Sequence, residues 1–202
     1  MRSLFNFVIR PKESRKTNVK EVGDSKLILS TDLQDHKYVN RVGIVVGVPE
    51  FQCGGILPGD EVIVHHNIFR TFYDVRGKEK DSSAYFAEDT YICPPDQVYM
   101  YKRGDADWKP LDGFCFVKPI RSRNPWTPNE EEPLVGVLKF LDNKLESMGL
   151  IEEDIVGFTP RSEYEFIIDE NRMYRVPSND ITMRYEHTGD EKEYNPSWAQ
   201  GS

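Results

Sequence analysis

Four blocks of this chain occur twice, in the same order. Ile9-Arg10-Pro11 matches Val117-Lys118-Pro119, and Val42-Gly43-Ile44-Val45 matches Val135-Gly136-Val137-Leu138. Gly55-Ile56-Leu57 with Asp60 and Val62 matches Gly149-Leu150-Ile151 with Asp154 and Val156. Tyr91, Pro94, Val98 and Met100 match Tyr174, Pro177, Ile181 and Met183. The separations are 108, 93, 94 and 83 residues, constant within a block and changing only between blocks, where loops differ in length. Chance matches do not keep their order along a whole chain, so the pattern indicates an internal duplication. Each copy must then fold as a unit of about 100 residues, which a chain of 202 accommodates twice.

Within a copy the local signals are those of β-structure. Pro58-Gly59-Asp60 reads as a turn: proline presets φ, glycine supplies a positive φ, and aspartate bonds its own backbone. Val62-Ile63-Val64 after it is a β-branched run, and Val42-Gly43-Ile44-Val45-Val46-Gly47 before it is an apolar strand whose glycines suit a tightly bent wall. Phe5–Pro11 alternates and stops at proline. Tyr85–Cys93 reads as strand, acidic turn, strand, and Val98–Tyr101 as one strand more. Arg70–Ser83 reads as a loop or irregular hairpin, Gly104–Asp107 as a linker, and His187–Ser202 as a polar, frayed end. One helix is expected, over Phe140–Met148, with Leu141, Leu145 and Met148 on its apolar side and Gly149 as its cap.

The copies differ most in one connection. From Pro11 to Gly43 is 32 residues, whereas from Pro119 to Gly136 is 17. The longer connection is polar and charged apart from one apolar island, Leu27-Ile28-Leu29, introduced by Gly23-Asp24-Ser25-Lys26. The shorter one has no such island, only Asn124-Pro125-Trp126-Thr127-Pro128 and an acidic run. A long polar loop in a compact domain is unusual and is functional or disordered when it occurs. The island alternatively reads as a short extra strand.

These motifs resemble the GroES-like co-chaperonin family, the small lids of chaperonin cages. The family order is an opening strand ending in a basic residue and proline, a mobile loop with an apolar tripeptide, a glycine-flanked strand and a "GD" strand. Val8-Ile9-Arg10-Pro11, Leu27-Ile28-Leu29, Gly43–Val48 and Pro58–Val64 follow that order. The ending Tyr164-Glu165-Phe166-Ile167-Ile168 with Val176–Ile181 matches the family's closing strands. Two departures stand out: the chain resembles two subunits in tandem with the loop in the first only, and the roof hairpin is cut down to Val48–Gly55. A lid of this divergent kind suggests a viral origin.

The resemblance implies an all-β fold of two irregular antiparallel barrels with little helix. The first spans 1–103 with a mobile loop at about 14–38, followed by a linker at 104–112. The second barrel spans 113–186 without the loop, and a polar tail covers 187–202. It implies a GroEL-type chaperonin as partner, bound through Leu27, Ile28 and Leu29. An unfolded client sits inside the chamber, and the chain forms a homo-oligomeric ring, a heptamer, with Phe5, Phe7, Val8 and Ile9 at the subunit interface. It implies no cofactor and no catalytic residue, since the chaperonin hydrolyses the ATP. A structural β-barrel, such as a virion decoration or assembly module, would share the repeats but need no apolar tripeptide.

Composition narrows the remaining classes. A net charge of −8 disfavours a nucleic-acid partner, which needs a positive face. The sequence has no run of about 20 apolar residues to span a membrane and no signal-peptide core at its start. Three cysteines suit a reducing compartment, so the cytoplasm is expected, a host's if the chain is viral. The barrel type also resembles the N-terminal domain of zinc alcohol dehydrogenases, which makes Cys53, Cys93, Cys115 and His65-His66 candidate ligands. Cys-x-x-Cys and the Rossmann glycine motif are both missing from the sequence, and adjacent histidines on a strand would face opposite ways, so no metal site is expected. No Gly-x-Ser-x-Gly elbow is present, and Glu130-Glu131-Glu132 reads as a solvated loop, so the chain is not expected to be an enzyme.

Overall fold

The computed structural model describes residues 3–13, 19–22, 25–28, 41–51, 54–126, 130–189, 191–196 and 199. The fold is all-β with antiparallel sheets and one short α-helix, and it divides into two units, Met1–Trp108 and Lys109–Ser202. The first contains β1 (Phe7–Pro11), β2 (Val19–Val22), β3 (Ser25–Ile28), β4 (Val42–Gly47) and β5 (Glu61–Val64). It continues with β6 (Thr71–Tyr73), β7 (Glu79–Asp81), β8 (Tyr85–Ala87), β9 (Thr90–Cys93) and β10 (Val98–Lys102). The second contains β11 (Lys109–Pro110), β12 (Phe114–Arg121), β13 (Glu131–Phe140), α1 (Asn143–Ser147) and β14 (Ile155–Phe158). It ends with β15 (Tyr164–Ile168), β16 (Asn171–Pro177) and β17 (Ile181–Tyr185).

Strand order repeats between the units. In the first, neighbouring strands run β8-β9-β1-β4-β5-β10, and in the second β15-β16-β12-β13-β14-β17. Registers repeat as well. Ile9 and Pro11 stand opposite Val45 and Gly43, as Val117 and Pro119 stand opposite Leu138 and Gly136. Phe7 and Ile9 pair with Cys93 and Tyr91, and Cys115 and Val117 with Val176 and Tyr174. Even the irregularity recurs: Val98 and Met100 oppose Val64 and Ile63 with Tyr99 bulged out, and Ile181 and Met183 oppose Phe158 and Gly157 with Thr182 bulged out. A one-residue slip in either unit would have moved every side chain to the other face, so five strands of each unit in matched register place the same residues in the same cores.

Two local devices explain why the repeated residues are the ones they are. Gly43 and Gly136 sit where a neighbouring strand comes close. A Cβ on Gly136 would lie 2.5 Å from the Lys118 carbonyl oxygen, and one on Gly43 would lie 3.2 Å from that of Arg10. Asp60 and Asp154, 3% and 5% exposed, accept the backbone N–H of Leu57 and Ile151 at 2.9 Å and so close the same turn. Each carboxylate also meets an arginine. Arg103 donates to both Asp60 oxygens and to the Gly55 carbonyl, while Arg184 donates to Asp154 and to the Gly149 carbonyl. The Arg103 bonds hold the Asp60 carboxyl below its usual range against the upward push of burial. Register makes Arg184 the counterpart of Tyr101, not of Arg103. Arg184 lies within β17, whereas Arg103 lies just past the end of β10, two positions further on in the equivalence, so the same clamp is reached from two positions.

Two expectations are altered. The helix is shorter than Phe140–Met148: Phe140 stays in β13, and Asp142 caps α1 by accepting the Leu145 N–H at 3.0 Å. Leu141 and Leu145 are buried, whereas Met148 is 67% exposed. Asp142 also accepts the Gly113 N–H and the Ser178 hydroxyl, tying α1 to β12 and to the turn before β17. The C-terminal stretch is not frayed where it is described. The Arg121 N–H donates to the Lys192 carbonyl and the Tyr194 N–H to the Pro119 carbonyl, each at 2.8 Å. Glu193 pairs there with Lys118 and Lys139. Arg70–Ser83, expected as a loop or irregular hairpin, contains the β6–β7 hairpin. Among the described residues no helix is long and apolar enough to cross a membrane.

Candidate functional site

The candidate site is the connection between β1 and β4, which is longer in the first unit than its counterpart in the second; the segment from β5 to β9, with the β6–β7 hairpin, is a second place where the first unit is longer. Its root is closed by the Lys12 N–H, which donates to the Val42 carbonyl at 3.0 Å, and by the Lys12–Glu61 ion pair at 2.8 Å. Inside it, β2 and β3 form an antiparallel hairpin with Val19 opposite Ile28, Lys20 opposite Leu27, Glu21 opposite Lys26, and Val22 opposite Ser25. Leu27 and Ile28 are thus in a strand, and Leu29 lies outside the described residues. The rest of the expected loop, 14–18 and 29–38, lies outside them too. Residues 23–24 also lie outside the described residues; in the sequence, Gly23-Asp24 is a dipeptide of the kind found between hairpin strands.

The second unit seals the equivalent connection. Its ladder continues outward with Arg121 opposite Glu131 and with the Ser122 N–H donating to the Glu130 carbonyl at 2.9 Å. Arg172 grips the start of β13: its guanidinium donates to Glu131, to Glu165 at 2.7 Å and to the Tyr174 hydroxyl, and that hydroxyl donates to Glu131 at 2.6 Å. Burial, then the bond to Glu131, pushes the Tyr174 phenol well above its usual range, so it stays a hydrogen-bond strut at neutral pH. Both carboxylates bond one guanidinium, an arrangement that ties β13, β15 and β16 together. The sequence offered no sign of this cluster, because its members are distant in the chain and carry no motif.

The four expected interface residues separate. Phe7, Val8 and Ile9 are buried in their own unit, and β1 is paired along both edges, with β4 and with β9. Of the four only Phe5 is exposed, at 66%, and it stacks on Phe51 at 6.2 Å. The metal candidates do not converge. Cys93 and Cys115 are free and buried, and burial pushes both thiols far above the ordinary cysteine range, which makes them unreactive. Cys53 lies outside the described residues. His65 and His66 depart from the expected opposite faces: β5 ends at Val64, the pair enters a turn, and the two rings lie 4.3 Å apart. Among the described residues no group of three or more potential ligands gathers.

No protein-family model matches this chain, and no curated protein matches it.

Proposed function

We propose that this chain is a co-chaperonin lid. It caps a GroEL-type chaperonin and assists ATP-dependent folding of a client protein in the closed chamber. The support is one asymmetry: two units of matched register, one with a long polar connection (32 residues from Pro11 to Gly43) carrying Leu27, Ile28 and Leu29, the other with that connection cut to 17 and sealed. A fold that closes without the insertion in one copy does not need it for stability in the other. On this account each unit rolls into an irregular barrel and the insertion is the docking arm. One arm binds weakly because ordering it costs entropy. A ring of whole chains, seven of them, engages many arms together and gains avidity without new contacts. Of the expected interface residues, Phe5 is the one left to take part. The lid performs no chemistry and holds no cofactor, and it works in the cytoplasm, a host's if the chain is viral.

The test is Ile28→Asp. Burying one such aliphatic side chain contributes about 1.5–3 kcal/mol, roughly ten- to hundredfold in affinity per arm. Chaperonin binding and assisted refolding should therefore collapse while the melting temperature stays within about 2 °C of the parent's, as surface substitutions do. Unchanged binding overturns the docking role, and a large fall in melting temperature places Ile28 in the core instead.

A further inference from the structure

The stretch after β17 lies as an added strand along the outer end of β12. Ile120 and Glu193 form an antiparallel bridge, the Arg121 N–H donates to the Lys192 carbonyl, and the Tyr194 N–H donates to the Pro119 carbonyl. β16 covers β12 only as far as Val117, so this stretch takes over the edge that β16 leaves. The first unit manages without such a cover. There β9 pairs with β1 only as far as Ile9, and among the described residues no strand runs beside Pro11 on that edge. A sheet end that stands bare in one copy does not need a cover to fold in the other.

What holds the stretch is polar. Glu193 pairs with Lys118 at 2.6 Å and with Lys139 at 2.5 Å. Asn195 accepts the Arg172 N–H at 3.1 Å and donates to the Glu170 carbonyl at 3.0 Å, and the Arg123 guanidinium meets Glu191 at 3.1 Å. Between His187 and Pro196 the described residues bury no apolar side chain fully, and beyond them Ala199 adds a single buried methyl group. An element with few buried apolar contacts opens at a lower free energy than the core beneath it. The two lysines are unequal. Lys139 keeps a second carboxylate, Glu153 at 2.6 Å, whereas Lys118, its side chain 11% exposed, has the Asn171 side-chain oxygen at 2.9 Å as its other contact. A charge so far from water needs an opposite one beside it, so Glu193 is the contact on which the closed stretch turns.

We infer that residues 191–195 form a latch on the second unit, opening and closing together over the end of β12 while the core stays folded, with Glu193 as the bolt. The exposed run Glu186–Gly189 ahead of them is the hinge, where Gly189, at φ 88°, supplies conformational freedom. Opening turns the end of β12 into a free sheet edge. The Arg121 N–H and the Pro119 carbonyl are then released beside Lys118 and Lys139, on the kind of edge where further strands pair.

The experiment is amide hydrogen exchange of the full chain, read residue by residue by NMR and corrected for intrinsic rates. The Arg121 and Tyr194 amides report the latch. The Ser122 amide, which donates to the Glu130 carbonyl on the opposite edge, reports the strand end, and the Leu138 amide, which donates to the Asp154 carbonyl, reports the core. In the parent, Arg121 and Tyr194 should share one rate, about a hundredfold or more faster than Leu138. Glu193→Gln keeps the shape and removes the charge, so it should speed both by about tenfold or more and leave Ser122 and Leu138 unchanged. Glu153→Gln, which leaves Lys139 to Glu193 alone, should not speed them. Arg121 and Tyr194 exchanging as slowly as Leu138, or at unrelated rates, would overturn the latch, because the stretch would then open only with the whole unit or not as one. Unchanged rates in Glu193→Gln, or an equal acceleration of Leu138, would overturn it as well.

Discussion

Replacing Gly136 by alanine tests the close approach that the duplicated register demands. The added Cβ would sit 2.5 Å from the Lys118 carbonyl oxygen and 2.6 Å from a Val117 methyl group. The methyl can move with its rotamer, but the oxygen is backbone in a paired strand, so β12 and β13 must part by several tenths of an ångström. Overpacking of this kind costs about 1–3 kcal/mol, while the unfolded chain loses freedom worth about 0.4–1 kcal/mol in the opposite sense. A net loss of about 1–2 kcal/mol would lower the melting temperature of a unit this size by roughly 4–16 °C. Gly43→Ala is the internal control: its nearest backbone neighbour is at 3.2 Å, a contact that gives with a small shift, so its loss should be under about 1 kcal/mol. Urea and thermal unfolding followed by circular dichroism would rank the two. Equal stabilities for Gly136→Ala and the parent would refute the reasoning, as would a greater loss at Gly43.

Asp142→Ala should cost about 2–5 kcal/mol, measured by urea unfolding, because it removes a helix cap and orphans the Gly113 N–H and the Ser178 hydroxyl. Acid should free the C-terminal stretch. Burial raises the Glu193 carboxyl, but bonds to Lys118 and Lys139 outweigh it and hold it below its usual value. Bonds from Thr188 hold Glu191 at about 2. Both are depressed in the folded state, so their contribution is complete above the ordinary glutamate value of 4.5 and is lost as pH falls through the folded values. The Arg121 and Tyr194 amide resonances should therefore shift between pH 4.5 and about 2, and a flat titration there would count against the pairing.

What could be read from the sequence was whatever a single residue type enforces locally. Gly43 and Gly136 are glycines because a carbonyl oxygen crowds them, and Asp60 and Asp154 are aspartates because each closes a turn onto an N–H three residues back. Such constraints leave a mark in the chain, and the repeated strands followed from them. The Arg103 and Arg184 clamps left no matched mark, because two different positions, one within the last strand and one just past it, reach the carboxylate equally well. Long-range polar pairing left none at all. Glu193 looked like part of a solvated end until Lys118 and Lys139 came beside it, and Arg172 gave no hint of Glu131. In the candidate site the apolar island was legible as residues that stand out from polar flanks. Its hairpin partner Val19–Val22 was marked only by the Gly23-Asp24 dipeptide after it, since two valines among charged residues resemble the rest of the loop.

The most direct test of the lid account is native mass spectrometry of the chain alone and mixed with a GroEL-type chaperonin and ATP. The account predicts a closed homo-oligomeric ring of whole chains that adds, as one unit, to an end of the chaperonin. A monomer at micromolar concentration, beside a chaperonin that has gained no mass, would contradict it.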